Sequence, residues 1–122
     1  MWTTLLIAFA ILLVLVLVKR GSNISTSAAW DYLRQGAVVI DVRSAGEFTS
    51  GHLPKAVNIP LSEIETVIGR KVRDKDQVLL LHCQSGMRSS QAVSKLKTLG
   101  YPNVFNLGSY ARAAAILSKP KK

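Results

Sequence analysis

Val78-Leu79-Leu80-Leu81-His82-Cys83-Gln84-Ser85-Gly86-Met87-Arg88 is the stretch on which the reading of this chain turns. Its first five residues form a short apolar run of strand type, and from Ala92 onward apolar residues recur at helical spacing, at Val93, Leu96 and Leu99. Cys83 therefore stands where a strand hands over to a helix. Backbone N–H groups at a helix start converge on such a point, and the helix dipole favours negative charge there. A thiol so placed loses its proton more readily than a free cysteine, whose pKa is about 8.5. Cys83 is also the only cysteine of the chain. That excludes an intrachain disulfide and a cysteine-pair zinc site, leaves no second thiol on the chain to resolve an oxidised Cys83, and suits a reducing compartment.

Working outward, the chain alternates helices with short buried strands. Ser25 or Thr26 caps a helix through about Arg34, with Trp30 and Leu33 on its buried side and Gly36 ending it. Ala37 to Ile40 is a continuous apolar run, the pattern of a strand covered on both faces. Ser44-Ala45-Gly46-Glu47 and Ser62-Glu63-Ile64-Glu65 both fit a capping box, and Ala56 to Ile59 makes a short strand between them, bounded by Pro54 and Pro60. Gly100 stops the helix after the cysteine loop; Asn103 to Leu107 is the last strand and Tyr110 to Leu117 the last helix. This order predicts an α/β fold with a small, mainly parallel sheet flanked by helices. Ligands of such sheets bind beyond the carboxyl ends of the strands, where Cys83 lies at one end and Asp41-Val42-Arg43 at another.

The N-terminus differs in kind. Trp2 to Val18 carries no charge, and as a helix it would span roughly 26 Å, with Trp2 at one interface and Lys19-Arg20 at the other. No Lys or Arg precedes the apolar run, which argues against a cleaved signal peptide, although small residues at Ser25, Ser27 and Ala29 would permit cleavage. The expectation is a transmembrane anchor over residues 1–20, a linker over 21–23, the folded domain over 24–118 and a basic tail over 119–122. The positive flank places that domain on the cytoplasmic side of the inner or cytoplasmic membrane as a single-pass protein. Sixteen Lys and Arg against seven Asp and Glu leave a formal charge of +9. Such a field attracts anionic membrane surfaces and small anionic substrates. The basic residues are scattered and no nucleic-acid motif accompanies them, so nucleic acid is not an expected partner.

Taken together, these residues resemble a single-domain rhodanese, a sulfurtransferase. The resemblance rests on Asp41-Val42-Arg43, on Glu47-Phe48 followed by Gly51-His52-Leu53-Pro54 and Ala56-Val57-Asn58-Ile59-Pro60-Leu61, and on Cys83 to Arg88, and it extends from about Ile24 to Leu107. It implies a persulfide cycle without metal or organic cofactor. Cys83 would take the outer sulfur of an anionic donor such as thiosulfate and pass it to a thiol or cyanide-like acceptor. The loop Gln84, Ser85, Gly86, Met87, Arg88 and Ser89 would cradle the added sulfur with backbone N–H groups. Arg88 would either meet a sulfonate oxygen or lock the loop. Asp41 is expected to hydrogen-bond loop amides, and Arg43 to pair with Glu47 or another carboxylate. His52 is expected to be structural. His82 precedes Cys83 on a strand and so points to the opposite face, a poor position for a Cys–His dyad.

Two other functions compete. Cysteine phosphatases and arsenate reductases place one more residue between Cys and Arg than the Gln84-Ser85-Gly86-Met87 found here, and the tighter ring favours sulfur. A non-catalytic module that presents a persulfide or docks a membrane partner is the other. The chain also departs from the family pattern. Lys55 stands where glycine is common, Ser109 replaces a second glycine with no aromatic at the usual place, and Met87 makes the loop less basic.

Overall fold

The computed structural model describes residues 1–20 and 23–118, with the backbone alone for residues 16–20. Helix α1 is Trp2–Arg20; then follow α2 (Thr26–Arg34), β1 (Val38–Asp41), α3 (Ala45–Ser50), β2 (Val57–Asn58), α4 (Ile64–Lys71), β3 (Leu79–His82), α5 (Met87–Thr98), β4 (Val104–Gly108) and α6 (Tyr110–Ser118). The four strands form one parallel sheet in the order β2-β1-β3-β4.

Strand alternation sorts the core into two layers. Ile40, Leu79, Leu81 and Cys83 face α4 and α5, where Ile64, Ile68, Ala92 and Leu96 close on them. Val39, Leu80 and Leu107 face the other way, against Ala29 of α2 and Ala113 and Ile116 of α6. Both faces of β3 are thus covered, which is why its sequence is apolar throughout. The Trp30 indole, half-buried on this second face, donates to the Ile116 carbonyl at 3.0 Å and ties α2 to α6.

Local signals are realised at the starts of α2 and α3. The Ser25 side chain accepts from the Ala28 amide and caps α2. The capping box at Ser44 and Glu47 is present in both directions. The one expected at Ser62 and Glu65 is not. A 3₁₀ turn at Leu61–Glu63 leads directly into α4, whose N-cap is Glu63 with no side-chain bond, because Pro60 and the preceding turn already fix the entry.

The expected membrane-spanning helix requires correction. Among the described residues no helix is long and apolar enough to cross a membrane. The uncharged part of α1, Trp2 to Val18, rises about 26 Å, against a hydrocarbon core of about 30 Å. Its apolar side chains are nonetheless exposed, Leu5 and Phe9 at 67% each. The expected linker at residues 21–22 and the basic tail at 119–122 lie outside the described residues.

Candidate active site

Cys83 follows β3 directly, and the turn through Gln84, Ser85 and Gly86 brings the chain into α5. The Gly86 amide donates to Cys83 Sγ at 2.9 Å, and the Ser89 hydroxyl lies 3.5 Å from the same sulfur. Gly86 is the N-cap of α5 with φ of 97°, and it offers no side-chain cap, so the first amides of the helix are left to serve the sulfur. A Cβ at this position would meet the Gly108 carbonyl carbon at 3.3 Å. Positive φ and close backbone approach together require glycine here.

Burial raises the pKa of the Cys83 thiol. The hydroxyl of Ser89 and the amides of Ser89, Gly86 and Ser85 outweigh that effect, and the thiol falls below its ordinary value of 9.0. The convergence expected from the sequence is therefore realised. Accessibility is not: Cys83 is 0% exposed, while Gln84 and Ser85, which follow it, are exposed and Met87 is 71% exposed. The thiol is held ready under a closed loop rather than in an open cup.

The β4–α6 turn braces the loop from the far side. Cys83 donates its amide to the Gly108 carbonyl at 3.2 Å, and the Tyr110 amide donates to Gln84 O at 3.2 Å. Ser85 and Ser109 form an isolated antiparallel bridge. The departure at Ser109 thus leaves this turn intact, and the Ser109 hydroxyl accepts the Arg112 amide at the start of α6.

Asn106 is a residue of the cysteine-loop hydrogen-bond network that the sequence reading missed. It lies 6% exposed on β4, on the same sheet face as Cys83. Its Oδ1 accepts from Ser89 Oγ at 2.7 Å and from the Gly108 amide at 2.8 Å, while its Nδ2 donates to the Gly86 carbonyl at 3.3 Å. One amide side chain thereby fixes both walls of the cysteine loop. The available signal was a lone amide inside an otherwise apolar strand, Val104-Phe105-Asn106-Leu107.

Arg88 is paired with a carboxylate of α3. Its guanidinium meets Glu47 at 2.7 Å and 3.0 Å through two nitrogens. The Arg88 bond, first, and then the Ser44 amide hold the Glu47 carboxyl at about 2, well below the carboxylate range. Glu47 therefore serves the α3 capping box and the cysteine loop together, and Arg43 does not pair with it. Arg43 is held instead by Asp41. Asp41 Oδ1 accepts the Arg43 amide at 2.9 Å, and Oδ2 accepts Nη2 at 2.7 Å. The same Nη2 donates to Gly51 O at 2.7 Å, and the guanidinium stacks over the Tyr110 ring at 4.7 Å.

Asp41 and His82 are register partners on β1 and β3. They lie on the face opposite Cys83, so Asp41 and Arg43 support the loop after β1 without touching the thiol. His82 is likewise away from the sulfur. Burial lowers its pKa, more than the neighbouring Asp41 raises it, and its Nε2 has no hydrogen-bond partner. His52 stacks on Phe48 at 3.9 Å and sits on the surface, consistent with a structural role. Among the described residues no His, Cys, Asp and Glu group is placed to hold a metal ion.

A buried, hydrogen-bonded thiol in a tight strand-to-helix loop at the carboxyl end of a parallel sheet defines a cysteine-loop domain of the rhodanese type. The chain belongs to the rhodanese-like domain family, which it matches over residues 25–113. It is similar to thiosulfate sulfurtransferase PspE of Escherichia coli (strain K12), 38% identical over 69 residues that cover 57% of this chain and 66% of the relative. It is also similar to thiosulfate:glutathione sulfurtransferase of Homo sapiens, 34% identical over 87 residues covering 61% of this chain and 76% of that protein. The chain spans 36% of another relative, the putative sulfur carrier protein YrkF of Bacillus subtilis (strain 168). Among solved structures it resembles a rhodanese with anions from E. coli, with a TM-score of 0.61 and 34% identity over 63% of this chain and 91% of that one. The human single-domain sulfurtransferase TSTD1 gives a TM-score of 0.64 and 28% identity, covering 80% of this chain and 97% of that one.

Proposed function

We propose that the protein is a sulfurtransferase in which Cys83 carries a sulfane sulfur from an anionic donor such as thiosulfate to a thiol acceptor. The Cys83 thiolate attacks the outer sulfur, the donor leaves as sulfite, and the persulfide that results rests among the amides of Ser85, Gly86 and Ser89. Arg88, neutralised by Glu47, holds the loop in shape. The donor's charge is met by loop dipoles and by the overall positive field. The observation that carries this reading is the convergence of the Gly86 amide and the Ser89 hydroxyl on one sulfur. Intact mass after thiosulfate treatment tests it. One added sulfur is expected, and its persistence in Cys83→Ser would refute the assignment.

The full burial of Cys83 favours a second reading, a module that docks a partner without turnover. Under the first reading, residues 84–88 yield to admit the donor, and cyanide-dependent turnover exceeds that of the unfolded chain. Turnover no faster than the unfolded chain would favour the module.

The exposed apolar side chains of α1 support attachment to a membrane surface, and the positive Lys19-Arg20 flank suits the anionic cytoplasmic leaflet. Flotation of the full chain with lipid vesicles, lost when residues 2–20 are removed, checks the attachment. A reporter fused after Lys122 and active only outside the cytoplasm would reverse the orientation.

A further inference from the structure

A pocket of about 460 Å³ opens beside the cysteine loop, within the size range of small-molecule sites. It is lined by Ser85, Gly86 and Met87, which follow Cys83 in the chain and include the amide that donates to its sulfur. Ser90 and Gln91 of α5, Asn23 and Asn106 complete the lining. None of these side chains is charged, although the chain carries sixteen Lys and Arg. The pocket on the other side of the loop, about 450 Å³, has a different character, with Arg88, Glu63 and Ser62 in its lining.

The side chains of this recess offer an anion no fixed cation to pair with, but they satisfy the donors and acceptors of a neutral amide. Met87 adds a flexible apolar surface against which a thiol's carbon chain can pack. Resting on the sulfurtransferase reading above, we propose that this pocket seats the sulfur acceptor, and that the acceptor is an uncharged thiol flanked by amide groups. Asn23, Ser90 and Gln91 are its specificity-determining residues.

The transfer step balances without an outside oxidant or reductant. The acceptor thiol gives its proton to water and attacks the sulfane sulfur as thiolate. A new S–S bond forms to that sulfur, the bond between it and Cys83 Sγ breaks, and the electron pair returns to Sγ. Cys83 leaves as the thiolate that the Gly86 amide and Ser89 hydroxyl stabilise, and the product is the acceptor's persulfide.

The test uses the full chain loaded with thiosulfate and checked by intact mass. It is mixed, at about 0.15 M salt to shorten the reach of the net charge, with N-acetylcysteine amide and separately with its carboxylate counterpart N-acetylcysteine. Rates are compared per thiolate. The amide form is expected to take the sulfur about tenfold faster, the equivalent of roughly one net hydrogen bond. Gln91 lies exposed on α5, so Gln91→Leu should leave the fold intact and cut that preference to less than about threefold, with Ser90→Ala as the second variant. Equal rates in the wild type, or a preference unchanged in both variants, would overturn the pocket assignment alone. A chain that takes up no sulfur would overturn both this inference and the sulfurtransferase reading.

Discussion

Replacing Ser89 by alanine isolates what holds the Cys83 thiolate. The hydroxyl has one proton and three acceptors within reach: Asn106 Oδ1 at 2.7 Å, Gly86 O at 3.1 Å and Cys83 Sγ at 3.5 Å. With a neutral thiol the shortest bond, to Asn106, takes that proton. When the sulfur is charged the proton turns to it, and Asn106 retains the Gly108 amide as partner. Burial is the largest influence on the thiol and acts against ionisation; the Ser89 hydroxyl is the largest that opposes it. A hydrogen bond to a charged group contributes about 1.5–3 kcal/mol, and the long contact to sulfur points to the lower end. Each 1.36 kcal/mol is tenfold, so Ser89→Ala should lower the thiolate population about tenfold below its titration midpoint and move that midpoint to higher pH. The assay is the rate of iodoacetamide alkylation of Cys83 against pH, with mass detection. Stability should fall by only about 1 kcal/mol, since one neutral bond is lost and no partner is orphaned. An unshifted alkylation profile would refute the argument and leave the backbone amides as the sole support of the charge.

Glu47→Gln should free Arg88 and loosen the cysteine loop, raising the alkylation rate of the buried thiol severalfold while slowing sulfur uptake from thiosulfate; both are read from intact mass against time. Gly86→Ala forces a side chain into positive φ and against Gly108, so it should cost about 1–2 kcal/mol in urea unfolding and reduce sulfur uptake. Lys55 has φ of 66°, where the family pattern favours glycine; Lys55→Gly should raise stability by about 0.5–1 kcal/mol by the same denaturation measurement. His82 resists protonation in the folded state, while the unfolded chain protonates it near the ordinary 6.5. The unfolded state then binds more protons below that pH, so stability should decline as pH falls from about 7 to 5, and His82→Gln should flatten the decline.

The parallel α/β plan was legible because apolar runs, capping residues and glycine stops are local signals. Val38–Asp41 and Leu79–His82 fall within a residue of where the apolar pattern puts them, and Tyr110–Ser118 does the same for the last helix. Cys83 was legible for the same reason, since its place between a strand and a helix is a property of neighbouring residues. The side-chain pairings were not. Sequence spacing allows Arg43 either Glu47 or another carboxylate; the fold selects Asp41 and sets Arg43 over the Tyr110 ring, while the packing of α5 brings Arg88 to Glu47. The Ser62 capping box failed because a competing turn at Leu61–Glu63 satisfies the same chain entry.

The primary structure alone fixed where the chain's single thiol stands, because the one cysteine falls at a strand-to-helix junction. Only tertiary contact decided how that sulfur is held: Asn106, remote in sequence, reaches Ser89 and Gly86 because β4 pairs beside β3. Closure of the loop over Cys83 is likewise a long-range outcome, made by Gly108 and Tyr110 backbone groups that no local pattern near residue 83 encodes. Local propensity acts over a few residues, whereas burial and ionisation depend on which distant segments the sheet sets side by side.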